Sequence, residues 1–107
     1  MSAEQIQQIV SEMGAAIGAD CGLGNTLKFD FGDAGSVFID GASKPNSVTD
    51  GEGKSAACVI SVSLANFEKM VKGELDGTTA FMLGKLSVAG DMTLAMKIGP
   101  ILEKARR

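Results

Sequence analysis

Residues 81–97, FMLGKLSVAGDMTLAMK, hold the end of one helix, a turn, a short strand, a second turn and the start of another helix. Gly84 closes the first element. Lys85-Leu86-Ser87-Val88 alternates polar and apolar side chains, the period of a half-buried strand. Gly90 ends that strand, and Asp91 is a helix cap, with a carboxylate that accepts backbone N–H bonds. Met82, Met92 and Met96 lie here, three of the chain's six methionines. Unbranched, polarizable methionine suits the wall of a pocket whose occupant varies in shape.

Outward from this stretch, the order of elements is readable to both ends. Residues 3–17 place Ile6, Ile9, Val10, Met13 and Ile17 at spacings of three and four, which predicts an amphipathic helix. Its other face carries Gln5, Gln8 and Glu12, so it lies on a surface and does not span one. Leu27, Phe29 and Phe31 alternate with polar residues. After the turn Gly32–Gly35, Val37 and Ile39 alternate with Ser36, Phe38 and Asp40, completing a β-hairpin. Residues 41–55 are polar and read as a loop. Ala56–Val62 is a third strand, with Cys58, Ile60 and Val62 on one face.

Ser63 caps a helix over Leu64–Lys72, with Leu64, Phe67, Met70 and Val71 on its apolar stripe, and Gly73 stops it. Thr78 is the expected cap of a short helix through Leu83, and the strand Lys85–Ala89 follows. The last helix turns Met92, Ala95, Met96 and Leu102 inward. Pro100 lacks an N–H and is expected to break that helix near Gly99. The segment 101–107 should then hold only Ile101 and Leu102 as apolar anchors, bury little and open at low cost, as a gate would. The order α-β-β-β-α-α-β-α implies an α+β fold, with helices packed on one mainly antiparallel sheet of about four to five strands.

Composition bounds the function. The chain has 107 residues, 45% hydrophobic and 21% charged, with a net charge of −3, as expected for one domain spanning residues 1–107. It has no basic stripe, no Trp and no Tyr, and its two arginines both lie at the C-terminus, so nucleic acid is not an expected partner. No apolar run approaches the ~18 residues of a membrane span. The first lysine is Lys28 and the chain ends Ala105-Arg106-Arg107, so no signal, transit or Ser-Lys-Leu-type address is read and the cytoplasm is the expected compartment. Cys21 and Cys58 are expected as free thiols, with Cys58 in the core.

The absence of histidine removes the usual general base and the commonest zinc ligand, so no triad built on histidine exists. Gly53-Lys54-Ser55 is not a phosphate loop: Val48 stands where a glycine is required and a strand follows. Around Asp50-Gly51, a calcium loop fails because Val48 and Ala57 occupy ligand positions. No cofactor or metal is expected.

Thr79-Ala80-Phe81, Gly84-Lys85-Leu86, Val88, Gly90-Asp91-Met92 and Leu94-Ala95-Met96-Lys97 resemble the signature region of the sterol carrier protein 2 (SCP2) sterol-binding domain family. The upstream elements match in order, so the resemblance covers nearly the whole chain. It implies an SCP2-like sandwich with an apolar tunnel between helices and sheet. Lipid-binding residues on that basis are Phe67, Met70, Val71, Phe81, Met82, Leu86, Val88, Met92, Ala95 and Met96. Apolar periodicity alone leaves open that these side chains form a solid core.

The resemblance implies non-catalytic binding and transfer of a fatty acid, fatty acyl-CoA, phospholipid or sterol-like molecule, with Lys85 and Lys97 as candidate contacts for a charged head. It implies a monomer with at most transient membrane contact. The N-terminal helix has no cationic face, so attraction through that helix to anionic membranes is expected to be weak. Two alternatives stand beside this reading. One is an interaction or dimerisation domain whose apolar groove accepts a partner helix. The other is a small acyl-thioester enzyme relying on Asp or Glu.

Overall fold

The computed structural model describes residues 2–17, 22–43 and 45–105, so Cys21 lies outside the described residues. The elements are α1 (Ser2–Ile17), β1 (Thr26–Asp30), a 3₁₀ turn (Gly32–Ala34), β2 (Ser36–Asp40), β3 (Ser47–Asp50) and β4 (Cys58–Val62). They continue with α2 (Leu64–Lys72), α3 (Gly77–Met82), β5 (Leu86–Gly90), α4 (Met92–Met96) and α5 (Ile98–Ala105). The α+β reading and the one-sheet architecture hold.

The sheet runs in the order β3-β2-β1-β4-β5. It is mixed: β1 and β4 are parallel, while β1–β2, β2–β3 and β4–β5 are antiparallel. The period-2 alternation sends Leu27, Phe29, Val37, Ile39, Cys58 and Ile60 to one face, where all are fully buried. Ile6, Ile9, Met13 and Ile17 of α1 and Ile98, Ile101 and Leu102 of α5 complete the same core. Across the other face run Thr49, Phe38, Lys28, Val59 and Ala89 in register, half-buried or exposed. There the Lys54 ammonium lies 5.1 Å from the Phe38 ring centre and donates to Thr49 Oγ1 at 2.8 Å.

Helix α2 begins and ends where the sequence places it. The Ser63 hydroxyl accepts from the Asn66 N–H at 3.1 Å, and Gly73 takes a left-handed conformation with φ 81°. That conformation lets the Glu74 N–H reach the Lys69 carbonyl at 2.8 Å, closing the helix end. Asp91 caps α4 as expected, accepting from the Thr93 N–H at 2.9 Å.

Four local expectations are corrected. Residues 47–50 are a strand: Ser47–Asp50 pairs antiparallel with β2, and Val48 enters the core. One buried apolar residue in a polar stretch leaves no alternation to read, and only the exposed edge of β2 recruits the segment. The cap of α3 is Asp76, which accepts from the Thr79 N–H at 3.1 Å, and not Thr78.

The C-terminal helix breaks at Lys97, earlier than Gly99. The Lys97 N–H turns back to the Leu94 carbonyl at 3.1 Å, and α5 then starts at Ile98. Pro100 therefore falls in the first turn of α5, where a missing N–H breaks no helical bond. The last segment is not loosely held either, since Ile98, Ile101 and Leu102 are all buried and α5 packs on α1. A freely opening gate beyond Pro100 is inconsistent with that burial.

Candidate functional site

Between the β4–β5 end of the sheet and helices α2 to α5 lies a cavity of about 500 Å³. That volume falls in the ~300–1,000 Å³ range of small-molecule sites. Its interior wall is built by Ile60 of β4, Met70 of α2, Leu86 of β5 and Ile98 and Leu102 of α5, all buried. Val88, Ala95 and Leu75 are half-buried contributors. Phe81, Met92 and Met96 form an exposed rim. Gly73, Asp76, Gly77, Thr78 and Gly99 complete the lining.

Local geometry explains these placements. Strand alternation turns Leu86 and Val88 inward together, two residues apart. Met92, Ala95 and Met96 share one side of α4 because residues three and four apart are neighbours on a helix. Leu94 is the residue that anchors α4 in the core. Helix α4 sits close to β4 because Gly90 lets the chain pass against Ala57. A Cβ at Gly90 would collide with the Ala57 carbonyl oxygen, and the backbone there has φ 99°. The Asp91 N–H then donates to that same carbonyl at 3.0 Å.

Seven of the ten residues named from the sequence line this cavity: Met70, Phe81, Leu86, Val88, Met92, Ala95 and Met96. The other three lie elsewhere. Phe67 is 1% exposed and packs against Phe29 and Phe31, with ring centres 4.9 and 5.0 Å away. Val71 is half-buried against the core. Met82, at the end of α3, is 79% exposed and points away from the lining. Lys85 and Lys97 do not line the cavity; Lys85 borders a separate hollow formed by Asp30–Gly32, Ser61–Ser63 and Gly84–Ser87.

Sequence reasoning did not assign Ile60, Leu75, Ile98 or Leu102 to the site. Ile60 faces the cavity because it stands opposite Val88 in the β4–β5 ladder, a pairing invisible in one dimension. Ile98 and Leu102 are spaced i, i+4, a visible signal that the expected helix break at Gly99 obscured.

The lining is chemically sparse. Asp76 is its one ionisable side chain, and that carboxylate is engaged as the α3 cap. Thr78 adds a hydroxyl. Cys58 lies fully buried in β4, and burial, with the Asp91 carboxylate nearby, pushes its thiol above the ordinary range. It therefore keeps its proton at neutral pH and is a poor nucleophile. Among the described residues, no group of three or more Cys, Asp or Glu could hold a metal ion, and no helix is long and apolar enough to cross a membrane.

The sequence matches the SCP-2 sterol transfer family over residues 14–103. The chain belongs to that family. A curated relative, hydroxysteroid dehydrogenase-like protein 2 of Bos taurus, is 40% identical over 73 residues, 67% of this chain and 18% of that protein. The chain thus spans less than a fifth of that relative. Sterol carrier protein 2 of Yarrowia lipolytica, in its apo form, superposes with a TM-score of 0.68 at 22% identity, covering 97% of this chain and 80% of that one. Sterol carrier protein 2 like 2 of Aedes aegypti gives 0.68 at 22% identity, over 92% of this chain and 94% of its own. At such identities the likeness is one of fold. Family membership supports lipid binding or transfer for this SCP2 domain, and the cavity is the place in the fold with the matching chemistry.

Proposed function

We propose that this SCP2 domain is a non-catalytic lipid carrier that holds its cargo in the cavity between α2, α3, β5, α4 and α5. The observation that carries the reading is an apolar space of about 500 Å³ in a chain this small, with buried Ile60, Met70, Leu86, Ile98 and Leu102 at its back. Its lining offers neither a nucleophile paired with a base nor a cation. Such a wall suits an acyl chain or a sterol-like ring system. A carboxylate seated deep inside would find no counter-ion and would approach Asp76, a like charge. The favoured cargo therefore has a neutral polar group, or an anionic head left in water at the rim.

The energetics fit a carrier. Burying ~15 methylenes at ~0.8 kcal/mol each yields about 12 kcal/mol. Association and ordering cost about 4–15 kcal/mol. An affinity of roughly micromolar order, about −8 kcal/mol, lies within that balance and permits release. Selectivity is weak because few polar contacts discriminate. Release occurs in the cytoplasm or at a membrane touched transiently by a monomer.

Native mass spectrometry of protein purified without detergent tests the reading directly. The expected spectrum contains a bound lipid at one-to-one stoichiometry, and a fluorescent fatty acid or fluorescent sterol is displaced saturably by unlabelled lipid. Protein that carries no lipid and shows no saturable displacement would refute the carrier function.

A further inference from the structure

Among the described residues, the large apolar side chains left exposed are Phe81, Met82, Leu83, Met92 and Met96. All lie at the end of α3 or on α4. Phe81, Met92 and Met96 are accounted for as the rim of the cavity. Met82 and Leu83 are not: they are 79% and 62% exposed and line no part of it. Scattered apolar residues on a surface need no explanation, but a cluster at the mouth of a cavity does.

Charge is distributed unevenly about the same feature. Residues 63–107, which supply α2 to α5 and β5, carry seven Lys or Arg and five Asp or Glu, a net +2. Residues 1–62 carry three and eight, a net −5. Lys85 and Lys97, both exposed, follow directly on the apolar ends of α3 and α4. Of the acidic groups nearby, Asp76 and Asp91 are turned to helix N-termini, where they accept backbone hydrogen bonds. The cavity-bearing half is thus cationic and apolar at the rim, and the other half is acidic.

We propose that this rim is the face by which the domain docks on an anionic lipid bilayer, with Met82 and Leu83 entering the interface and Lys85 and Lys97 facing lipid phosphates. The inference rests on the carrier reading and extends it to the surface of delivery. Apolar side chains flanked by ammonium groups match the boundary between acyl chains and headgroups. The acidic half is repelled by the negative leaflet, so the field orients the molecule mouth-down before contact. Cargo then passes between cavity and bilayer without crossing water. Helix α1, which has no cationic face, takes no part.

Flotation with vesicles of phosphatidylcholine alone, and of phosphatidylcholine with phosphatidylserine, tests the proposal on the full chain. Wild-type protein should bind the serine-containing vesicles more tightly, and added salt should weaken that preference. Lys85→Gln with Lys97→Gln should lower partition onto anionic vesicles by roughly fivefold per lysine. Met82→Ser with Leu83→Ser should lower it about tenfold or more. Both variants should bind a soluble fluorescent fatty acid, assayed without vesicles, as wild type does, because none of these residues lines the cavity. Hydrogen exchange in wild-type protein should slow over residues 81–97 on vesicles and stay unchanged in α1.

Wild type that ignores both vesicles, or variants that bind them as wild type does, overturns the docking face. So does a concentration-dependent dimer that only the Met82/Leu83 variant fails to form, since the patch would then belong to a second copy. Wild type that docks on vesicles but binds no soluble probe sinks the carrier reading instead.

Discussion

Gly77→Leu separates an open cavity from a packed core in one substitution. Gly77 is the first residue of α3 and lines the cavity. A Cβ built there meets one heavy atom within 4 Å, the Cε of Met70 at 3.7 Å, an ordinary contact, and Met70 is itself part of the wall. A side chain at position 77 therefore grows alongside Met70 into the cavity. Inserting bulk into a filled core costs about 1–3 kcal/mol. Here no neighbour has to move, and replacing glycine at a helical position whose backbone is compatible stabilises by about 0.4–1 kcal/mol. The melting temperature should stay level or rise slightly.

Cargo binding responds in the opposite sense. The four carbons of leucine exclude about as many methylenes of the ligand. At ~0.8 kcal/mol each, the loss is about 3 kcal/mol, or roughly 100-fold in affinity. Displacement titration with a fluorescent fatty acid, beside thermal melts by circular dichroism, measures both quantities. Unchanged affinity in a folded variant would show that cargo does not occupy this cavity. A steep fall in melting temperature would show that the space is filled by protein.

Two further outcomes concern the segment that holds α4. Gly90→Ala should destabilise by about 2–5 kcal/mol in urea melts, since it combines a left-handed backbone with a collision against the Ala57 carbonyl; a loss under ~1 kcal/mol would show that β4 and β5 separate easily there. Asp91→Ala should cost about 1 kcal/mol and Asp91→Ser should recover most of it, because the carboxylate caps α4 through the Thr93 N–H; equal losses for both variants would remove the capping role.

Local chemistry carried much of this fold into the sequence. Alternation at Leu27, Phe29, Val37, Ile39, Cys58 and Ile60 prescribes strands with one buried face, whatever their partners. The Ser63 cap, the Gly73 stop and the Asp91 cap act within four residues of themselves, so they are legible without a third dimension. The residues around Phe81–Lys97 also carry the family signature. They bring Leu86, Val88, Met92, Ala95 and Met96 to one place because a single turn at Gly90 joins the two elements that present them.

Tertiary structure decided what depends on distant partners. The parallel β1–β4 pairing, which makes the sheet mixed, joins segments separated by a hairpin and a further strand. Edge strand β3 exists because β2 has a free edge, and its own residues offer only Val48 to the core. The apolar stripe of α2 is uniform in sequence, yet Phe67 turns to the phenylalanines of β1 while Met70 turns to the cavity. Met82 reads like Met92 and Met96, and only the end of α3 sends it into water beside the rim instead of along the wall. Periodicity says that a residue is apolar and which side of its element it occupies. Whether that side meets a neighbour, an empty cavity or solvent is set by where the other elements stop.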